Sequence, residues 1–162
     1  MAVSAYEVIS TQTLGSAAAS VTFSSIPQTY TDLVLIVSHD VAADAVTGVQ
    51  FNSDTASNYS ATYLWGQGTV PNSARETSAA SAFAFYGSAA SGFAQAIIQV
   101  MNYSNSTTYK SFISRETDAA IETLVVAGLW RSTAAITSMV LLRRSGNFAV
   151  GSTFALYGIK AA

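Results

Sequence analysis

The chain has 162 residues, of which 10% are charged, and its formal net charge at pH 7 is −2. Globular proteins carry about 25% charged residues, so the polar surface of this chain must consist mostly of hydroxyl and amide groups. The seven basic residues are scattered apart from the pair Arg143 and Arg144, which argues against the basic stripe of a nucleic-acid-binding protein. A surface with so little charge favours self-association.

Cysteine usage and hydropathy exclude further classes. The chain has no cysteine, which rules out a disulfide framework and a thiolate metal site. No apolar run is long enough to span a bilayer, so we expect no membrane contact. Residues 1–7 lack the basic start and apolar run of a secretion signal, so we expect synthesis in a cytoplasm. The length predicts one domain over residues 1–162.

The first forty residues predict three strands. Residues 6–12 are rich in β-branched side chains and are followed by a turn that contains Gly15. Val21 and Phe23 alternate with hydroxyl residues at the two-residue period of a half-buried strand, and Pro27 breaks the pattern. Residues 33–37 are apolar without a break and too few for a helix, so they predict a central strand covered on both faces.

The middle of the chain predicts shorter elements. Residues 48–52 are typical of a short strand, and Asp54 after them is placed to cap a single helical turn. Residues 61–65 predict at most a short strand, because glycines and a proline follow and indicate a loop. Within 74–86 the composition permits a helix, but two phenylalanines alternate with small residues and favour a strand at 82–86.

The last third of the chain predicts five strands, at 93–102, 110–116, 123–131, 136–144 and 152–160. The first two form a hairpin around a turn rich in Asn and Ser. Across the chain, strands recur at a spacing of about ten to fifteen residues without helical periodicity between them. This pattern predicts an all-β, antiparallel, jelly-roll-like β-sandwich, with residues 1–6 as an N-terminal arm.

The titratable residues form no recognisable catalytic pattern. His39 is the single histidine, and a hydrolase triad would have to combine it with Asp32 or Asp40, without any nucleophile motif nearby. We predict that His39 is a solvated loop residue. The spacing of Asp40, Asp44 and Asp54 matches no calcium-binding loop. We therefore expect no metal, no cofactor and no enzymatic activity.

Three further carboxylates, Glu116, Asp118 and Glu122, fall around a predicted hairpin turn. Glycoside hydrolysis requires two carboxylates that face each other across a cleft. A hairpin turn does not provide that arrangement, so we predict that the three side chains are solvated.

Aromatic residues cluster at Tyr59, Tyr63 and Trp65, in a region rich in loops. They form either an aromatic surface that contacts a sugar or a protein partner, or part of the core beneath a long loop. The sequence leaves the two alternatives open. Trp130 lies within a predicted strand, and we assign it to the core or to a subunit interface.

Several strand and turn segments have a distinctive sequence. The two ends contribute Tyr-Glu-Val-Ile-Ser-Thr-Gln-Thr-Leu at 6–14, Val-Thr-Phe-Ser-Ser-Ile-Pro-Gln-Thr-Tyr-Thr-Asp-Leu-Val-Leu at 21–35 and Gly-Ser-Thr-Phe-Ala-Leu-Tyr-Gly-Ile-Lys at 151–160. The middle contributes residues 51–54 with Asn58 and Tyr59, and residues 102–105 with Tyr109 and Lys110. Together they resemble a family of small jelly-roll virion proteins of tailed phages, and the similarity spans nearly the whole chain.

The resemblance implies a non-enzymatic structural protein on the capsid surface of a virion. In that family, similar domains serve as capsid decoration (cement) proteins, which stabilise the phage head, and as modules of tail fibres. Decoration implies the major capsid protein as a partner and a homotrimer by family precedent, with no nucleic acid or membrane contact. The alternative is a tail-fibre domain that binds a receptor or a carbohydrate.

The two alternatives use different parts of the molecule. A decoration protein would contact the shell through the N-terminal arm, whereas a receptor-binding domain would present its aromatic cluster to solvent. The partner-contact candidates are accordingly Met1, Ala2, Val3, Tyr6, Tyr59, Tyr63 and Trp65.

Overall fold

The computed structural model describes residues 5–89, 92–118 and 122–160. In these residues the chain forms twelve β-strands and no helix, and hence no helix that could cross a membrane. The strands are β1 (Tyr6–Thr13), β2 (Ser20–Phe23), β3 (Asp32–His39), β4 (Ala45–Phe51), β5 (Tyr59–Gln67), β6 (Val70–Ala79), β7 (Ala82–Gly87), β8 (Ala94–Val100), β9 (Lys110–Thr117), β10 (Glu122–Trp130), β11 (Met139–Arg143) and β12 (Thr153–Ile159).

The described strands form two antiparallel sheets that pack face to face. The larger sheet has eight strands in the order β1-β12-β3-β8-β9-β10-β5-β6, and the smaller has four in the order β2-β11-β4-β7. The strands β1-β12-β3-β8 and the smaller sheet β2-β11-β4-β7 form the two four-stranded sheets of a jelly roll, and β9, β10, β5 and β6 extend the larger sheet. The predicted antiparallel, jelly-roll-like sandwich is confirmed.

Strand β3 lies in the interior of the larger sheet, between β12 and β8. Leu33, Leu35 and Val37 point toward the smaller sheet and are completely buried. Because side chains alternate along a strand, Val34 and Ile36 point to the opposite face, where Val34 is buried but 40% of Ile36 is exposed. The prediction of a central strand is therefore confirmed, whereas its predicted coverage on both faces is wrong at Ile36.

A cluster of large aromatic rings fills the space between the sheets. The Phe51 ring lies 5.6 Å from Trp130 and 6.2 Å from Phe112, measured between centroids. Tyr59 stacks on Trp130, and its hydroxyl accepts a hydrogen bond of 2.9 Å from the Phe51 amide. Trp130 Nε1 donates to Asp54 at 2.7 Å. The assignment of Trp130 to the core is confirmed.

Strands β5 and β6 form a long hairpin where the sequence predicted mostly a loop. Strand β5 runs beyond residues 61–65 at both ends and pairs with β6, which has ten residues. Pro71 is compatible with a strand here because β6 is the edge of the sheet and one side of its backbone needs no partner. Gly68, with a φ of 61°, lies in the turn between the strands.

The segment after β4 is a turn and not the predicted helical turn. Asn52 and Ser53 form the turn with positive φ, 53° and 55°, and residues 54–58 contain no helical turn. Asp54 Oδ1 accepts a hydrogen bond from the Ala56 amide, and Oδ2 accepts one from Asn58 Nδ2. The carboxylate thus organises a tight turn that leads into β5.

Candidate functional site

A cleft opens beside β7, the edge strand of the smaller sheet, where that strand faces β5 and β10 of the larger sheet. Its volume is about 370 Å³, at the lower end of the range for small-molecule sites. Its lining is mainly aromatic and acidic, so we call it the aromatic cleft. The side chains that give it this character are Asp44, Tyr63, Trp65, Phe83, Tyr86 and Glu122.

The aromatic wall of the cleft is built by alternation along β5. Tyr63 and Trp65 are two residues apart and point toward the smaller sheet, whereas Leu64 between them points away and is 59% exposed. The Tyr63 ring stacks on Phe83 of β7 at 4.4 Å with an interplanar angle of 12°, and Trp65 lies 5.6 Å from Tyr63. Both β5 rings are half-buried. The sequence left open whether they form a contact surface or part of the core, and each alternative describes part of the arrangement.

The cleft also receives one carboxylate from each side of the sandwich. Asp44 lies just before β4 of the smaller sheet, and its Oδ1 accepts hydrogen bonds from Ser88 Oγ and the Ala89 amide. Glu122 begins β10 of the larger sheet. Burial, together with nearby carboxylates, raises the pKa of Glu122 above its ordinary value. No lysine or arginine is among the described residues that line the cleft.

A buried histidine–carboxylate pair lies behind the cleft. His39 Nε2 is hydrogen-bonded to Glu116 Oε1 at 3.0 Å, and the Tyr86 amide donates to Glu116 Oε2 at 2.7 Å. His39 and Glu116 are both buried, and desolvation raises the pKa of Glu116. The predictions that these two side chains are solvated are therefore wrong. His39 follows Leu35 and Val37 in the inward-facing phase of β3, which explains its burial.

Asp118 and Glu122 depart from the same prediction to different degrees. Asp118 is buried, with only 5% of its surface exposed, and Glu122 is half-buried at the rim of the cleft. The Asp118 amide donates to the Glu122 carbonyl at 2.9 Å, which links the end of β9 to the start of β10. The predicted solvated turn is therefore wrong for these two side chains as well.

Arg143 of β11 holds the segment that carries Asp44. Its guanidinium is buried and donates to the carbonyls of Ala43 and Ala45, on either side of Asp44. Gly87 leaves room for this contact, because a Cβ atom there would lie 2.7 Å from Arg143 Nη1. The backbone around Asp44 is thus fixed from the interior, so the carboxylate has a defined position at the cleft.

The aromatic partner-contact candidates from the sequence do not form one site. Tyr63 and Trp65 meet in the aromatic cleft, but Tyr59 on the same strand is completely buried in the core. A surface role for Tyr59 is therefore wrong, since it packs on Trp130 beneath the smaller sheet.

The N-terminal candidates lie away from the cleft or outside the described residues. Tyr6 begins β1, at the opposite edge of the larger sheet, and is 54% exposed. Its ring meets Tyr157 edge-on at 6.4 Å. Met1, Ala2 and Val3 lie outside the described residues. Contact through an N-terminal arm thus stays a prediction.

A second candidate surface is the face of the larger sheet that points away from the smaller sheet, which we call the outer sheet face. Strand register places five side chains next to one another across β3, β8, β9, β10 and β5, namely Ile36, Ile97, Arg115, Val125 and Leu64. Most of this row is apolar, although Ile36, Val125 and Leu64 are between 40% and 59% exposed. Two apolar pairs, Ile36 with Ile97 and Val125 with Leu64, thus lie on either side of Arg115, and exposed apolar surface of this kind is a candidate site of interaction.

The outer sheet face was not predicted from the sequence. The outward positions of these strands mix isoleucine, valine and leucine with glutamine, serine and threonine, so no local pattern distinguishes this face from a solvated one. Ile113 on β9, 48% exposed, adds to the apolar surface in the next row.

Neither surface is arranged as a metal site. The residues that the structure describes contain no group of three or more histidine, aspartate and glutamate side chains placed to hold a metal ion. The chemistry available in the aromatic cleft is therefore that of ring faces, two carboxylates and the amide of Gln67.

No protein-family model matches the chain, and no curated protein matches it. The function is therefore inferred from the two surfaces and from the amino-acid sequence.

Proposed function

We propose that the protein is a non-enzymatic structural protein of a phage virion that decorates the capsid and stabilises the head by bridging neighbouring capsid subunits. The strand and turn segments that resemble small virion proteins support this role, and the jelly-roll sandwich agrees with it. The observation that carries the proposal is the outer sheet face. This surface mixes exposed apolar side chains with polar ones and has one charged residue, Arg115, in its central row, a composition that suits contact between proteins.

The non-enzymatic part of the proposal is supported by how the carboxylates are used. Glu116 is occupied by His39 and by the Tyr86 amide, and Asp44 accepts two hydrogen bonds from the segment after β7. These carboxylates have structural partners, so they are not poised as a general acid and base. Release of sugars from bacterial polysaccharide by the purified protein would contradict this part of the proposal.

The occupant that we propose for the outer sheet face is a second copy of the chain, in a closed homotrimer. A net charge of only −2 gives little repulsion between copies. In a closed ring each copy uses two different patches, so the outer sheet face of one copy would pack against another part of the next.

This oligomer gives a testable prediction. The double variant Ile113→Asp with Val125→Asp introduces two charges on the outer sheet face and should convert a trimer into monomer at micromolar concentration, measured by sedimentation equilibrium. Val150→Asp is the matched control, because Val150 is 59% exposed but lies outside the sheets. A wild-type protein that sediments only as monomer, or a double variant that stays trimeric, would contradict the proposed interface.

The decoration role is tested by the abundance of the protein in purified virions. A protein that covers the shell should approach the major capsid protein in copy number, whereas a fibre component should match the tail proteins. Densitometry of virion proteins separated by electrophoresis distinguishes these results. A band at the abundance of tail fibres would favour the second candidate function.

The second candidate function is that of a tail-fibre domain that binds a receptor or a carbohydrate. The aromatic cleft favours it, because half-buried ring faces beside hydrogen-bonding groups suit a sugar or a similar small ligand. In that case, virions without the protein should lose adsorption to host cells and keep the heat resistance of their heads.

A further inference from the structure

The aromatic cleft combines exposed parts of aromatic rings with two carboxylates and no basic residue among its described lining, and we propose that it binds an organic ammonium group. This inference goes beyond capsid decoration, because neither self-association nor contact with a shell requires a cleft of this chemistry. The three properties that support it are the electron-rich ring faces, the excess of negative charge and the size of the cleft.

The rings provide the first part of the recognition. The face of an aromatic ring attracts a cation that lies within about 6 Å of its centroid, and tryptophan gives the strongest attraction. Tyr63 is held in place by its stack on Phe83, and Trp65 is tilted by 31° against Tyr63. The two β5 rings thus form an angled wall that does not need to rearrange before a cation binds.

The carboxylates provide the second part. Asp44 and Glu122 reach the cleft from different sides of the sandwich, so a bound cation would meet negative charge on two sides. Glu116 and Asp118 lie behind them, and their charges add to the effect of burial in raising the pKa of Glu122. The region around the cleft therefore carries an excess of carboxylates.

The nearby basic side chains are engaged elsewhere. Arg143 is buried and directs its guanidinium to backbone carbonyls and to Thr47 Oγ1. His39 is occupied by Glu116. Neither group reaches the cleft lining as a partner for a carboxylate there.

The phenol of Tyr86, which lines the cleft, responds to this charge distribution. Burial and then the negative charges of Asp44, Glu122 and Asp118 raise the pKa of Tyr86, while Arg143 opposes the shift. Three carboxylates and one guanidinium thus act on this wall of the cleft. A cation placed there would be attracted.

The size of the cleft limits the ligand to one small group. A volume of about 370 Å³ accommodates a choline-sized headgroup, a single amino sugar or the end of one lysine side chain. These ligands share an ammonium group attached to an apolar frame. A neutral ligand of the same shape would cover the half-buried carboxylate of Glu122 without giving it a charged partner, which costs binding energy.

Calorimetric titration of the full-length protein with choline and with its uncharged isostere 3,3-dimethyl-1-butanol tests the inference. Choline should bind at least about tenfold more tightly than the isostere, and salt should weaken its binding. Titrations with lysine amide and with glucosamine show whether the ammonium group belongs to a lysine side chain or to an amino sugar. N-acetylglucosamine, which has no ammonium group, is the neutral comparison, and each amine should bind better than it does. Equal binding of choline and the isostere, or no saturable binding of any amine, would overturn the inference.

Four variants locate the site. Glu122→Gln removes one charge without changing the shape of the side chain and should weaken choline binding about tenfold, and Trp65→Ala should abolish it. Glu7→Gln removes a carboxylate at the far edge of the larger sheet, and Leu64→Ala removes the neighbour of Trp65 that points away from the cleft. Both controls should bind choline like the wild type. Undiminished binding by Glu122→Gln and Trp65→Ala would place the ligand elsewhere and overturn the inference.

Discussion

Replacement of Glu116 by alanine should lower the free energy of unfolding at pH 7 by about 1–3 kcal/mol for each buried hydrogen-bonding group that it leaves without a partner. The substitution leaves the Tyr86 amide without its acceptor and the buried His39 ring without its hydrogen-bond partner. It also removes a negative charge that stabilises the buried guanidinium of Arg143. Urea unfolding followed by circular dichroism measures the loss.

Glu116→Gln is the matched control, because glutamine has the same shape and its carbonyl can accept from the Tyr86 amide. Desolvation raises the pKa of Glu116 in the folded protein, so the folded state binds the proton more tightly than the unfolded state. This contribution to stability is fully present below the unfolded pKa, near 4.5, and is lost as pH rises through the higher folded value. The carboxyl group is surrounded by His39, Asp118 and Arg143, which determine the pH at which this stability is lost.

The control therefore gives a pH-dependent result. The stability of Glu116→Gln relative to wild type should increase as pH rises from 4.5 through the folded pKa, since only the wild type has a carboxyl group that must be ionised in the interior. Parallel pH profiles for the two proteins, or a Glu116→Ala variant with wild-type stability, would show that this pair does not stabilise the sandwich.

Replacement of Trp130 by alanine should cost about 3–5 kcal/mol, because it opens a large cavity between the sheets. The rings of Phe51 and Tyr59 lose their contact with the indole, and Asp54 loses the hydrogen bond from Nε1. Guanidinium unfolding monitored by far-ultraviolet circular dichroism measures the difference from wild type.

The second tryptophan of the chain is the control for this prediction. Trp65 is half-buried in the aromatic cleft and not between the sheets, so Trp65→Ala should cost clearly less than Trp130→Ala. Trp130→Phe keeps a ring in the core and loses the hydrogen bond to Asp54, which is worth about 1.5–3 kcal/mol for a charged acceptor. Equal losses for the two alanine variants would contradict the assignment of core and cleft.

The fold could be predicted from the sequence because two-residue alternation is a local property. Residues 21–23 and 123–131 carry it clearly, and each segment lies in a strand of the structure or overlaps one. Strand β6 could not be predicted in this way. Proline is excluded from a strand that is hydrogen-bonded on both sides, so Pro71 and the neighbouring glycines indicate a loop. The position of β6 at the edge of the sheet, which removes the need for hydrogen bonds on both sides, depends on the pairing of distant segments.

The aromatic cleft could be predicted only in part. Tyr59, Tyr63 and Trp65 share one face of β5, so alternation cannot separate them. Their difference arises because the start of β5 lies under the smaller sheet, where Tyr59 meets Trp130, whereas the later residues reach its edge. The contact between Tyr63 and Phe83 joins two strands of different sheets, and no local pattern encodes it.

The buried pair behind the cleft escaped prediction for a different reason. Glutamate is almost never fully buried unless it is paired, and histidine is intermediate, so residue type alone does not predict burial for either side chain. The alternation along each strand predicts burial instead, because His39 lies on the same face of β3 as Leu35 and Val37, and Glu116 lies on the same face of β9 as Phe112. For polar residues at the end of an apolar strand, phase is thus the better guide to burial in this chain.

The proposed role is tested most directly by the temperature at which virions release their DNA. Virions that carry the protein should release DNA at a higher temperature than virions from which it has been stripped, and addition of the purified wild-type protein should restore the higher temperature. The cooperative attachment of several copies through linked contacts accounts for the expected recovery. Stripped virions that keep their heat and osmotic resistance but lose adsorption to host cells would contradict capsid decoration and support the receptor-binding alternative.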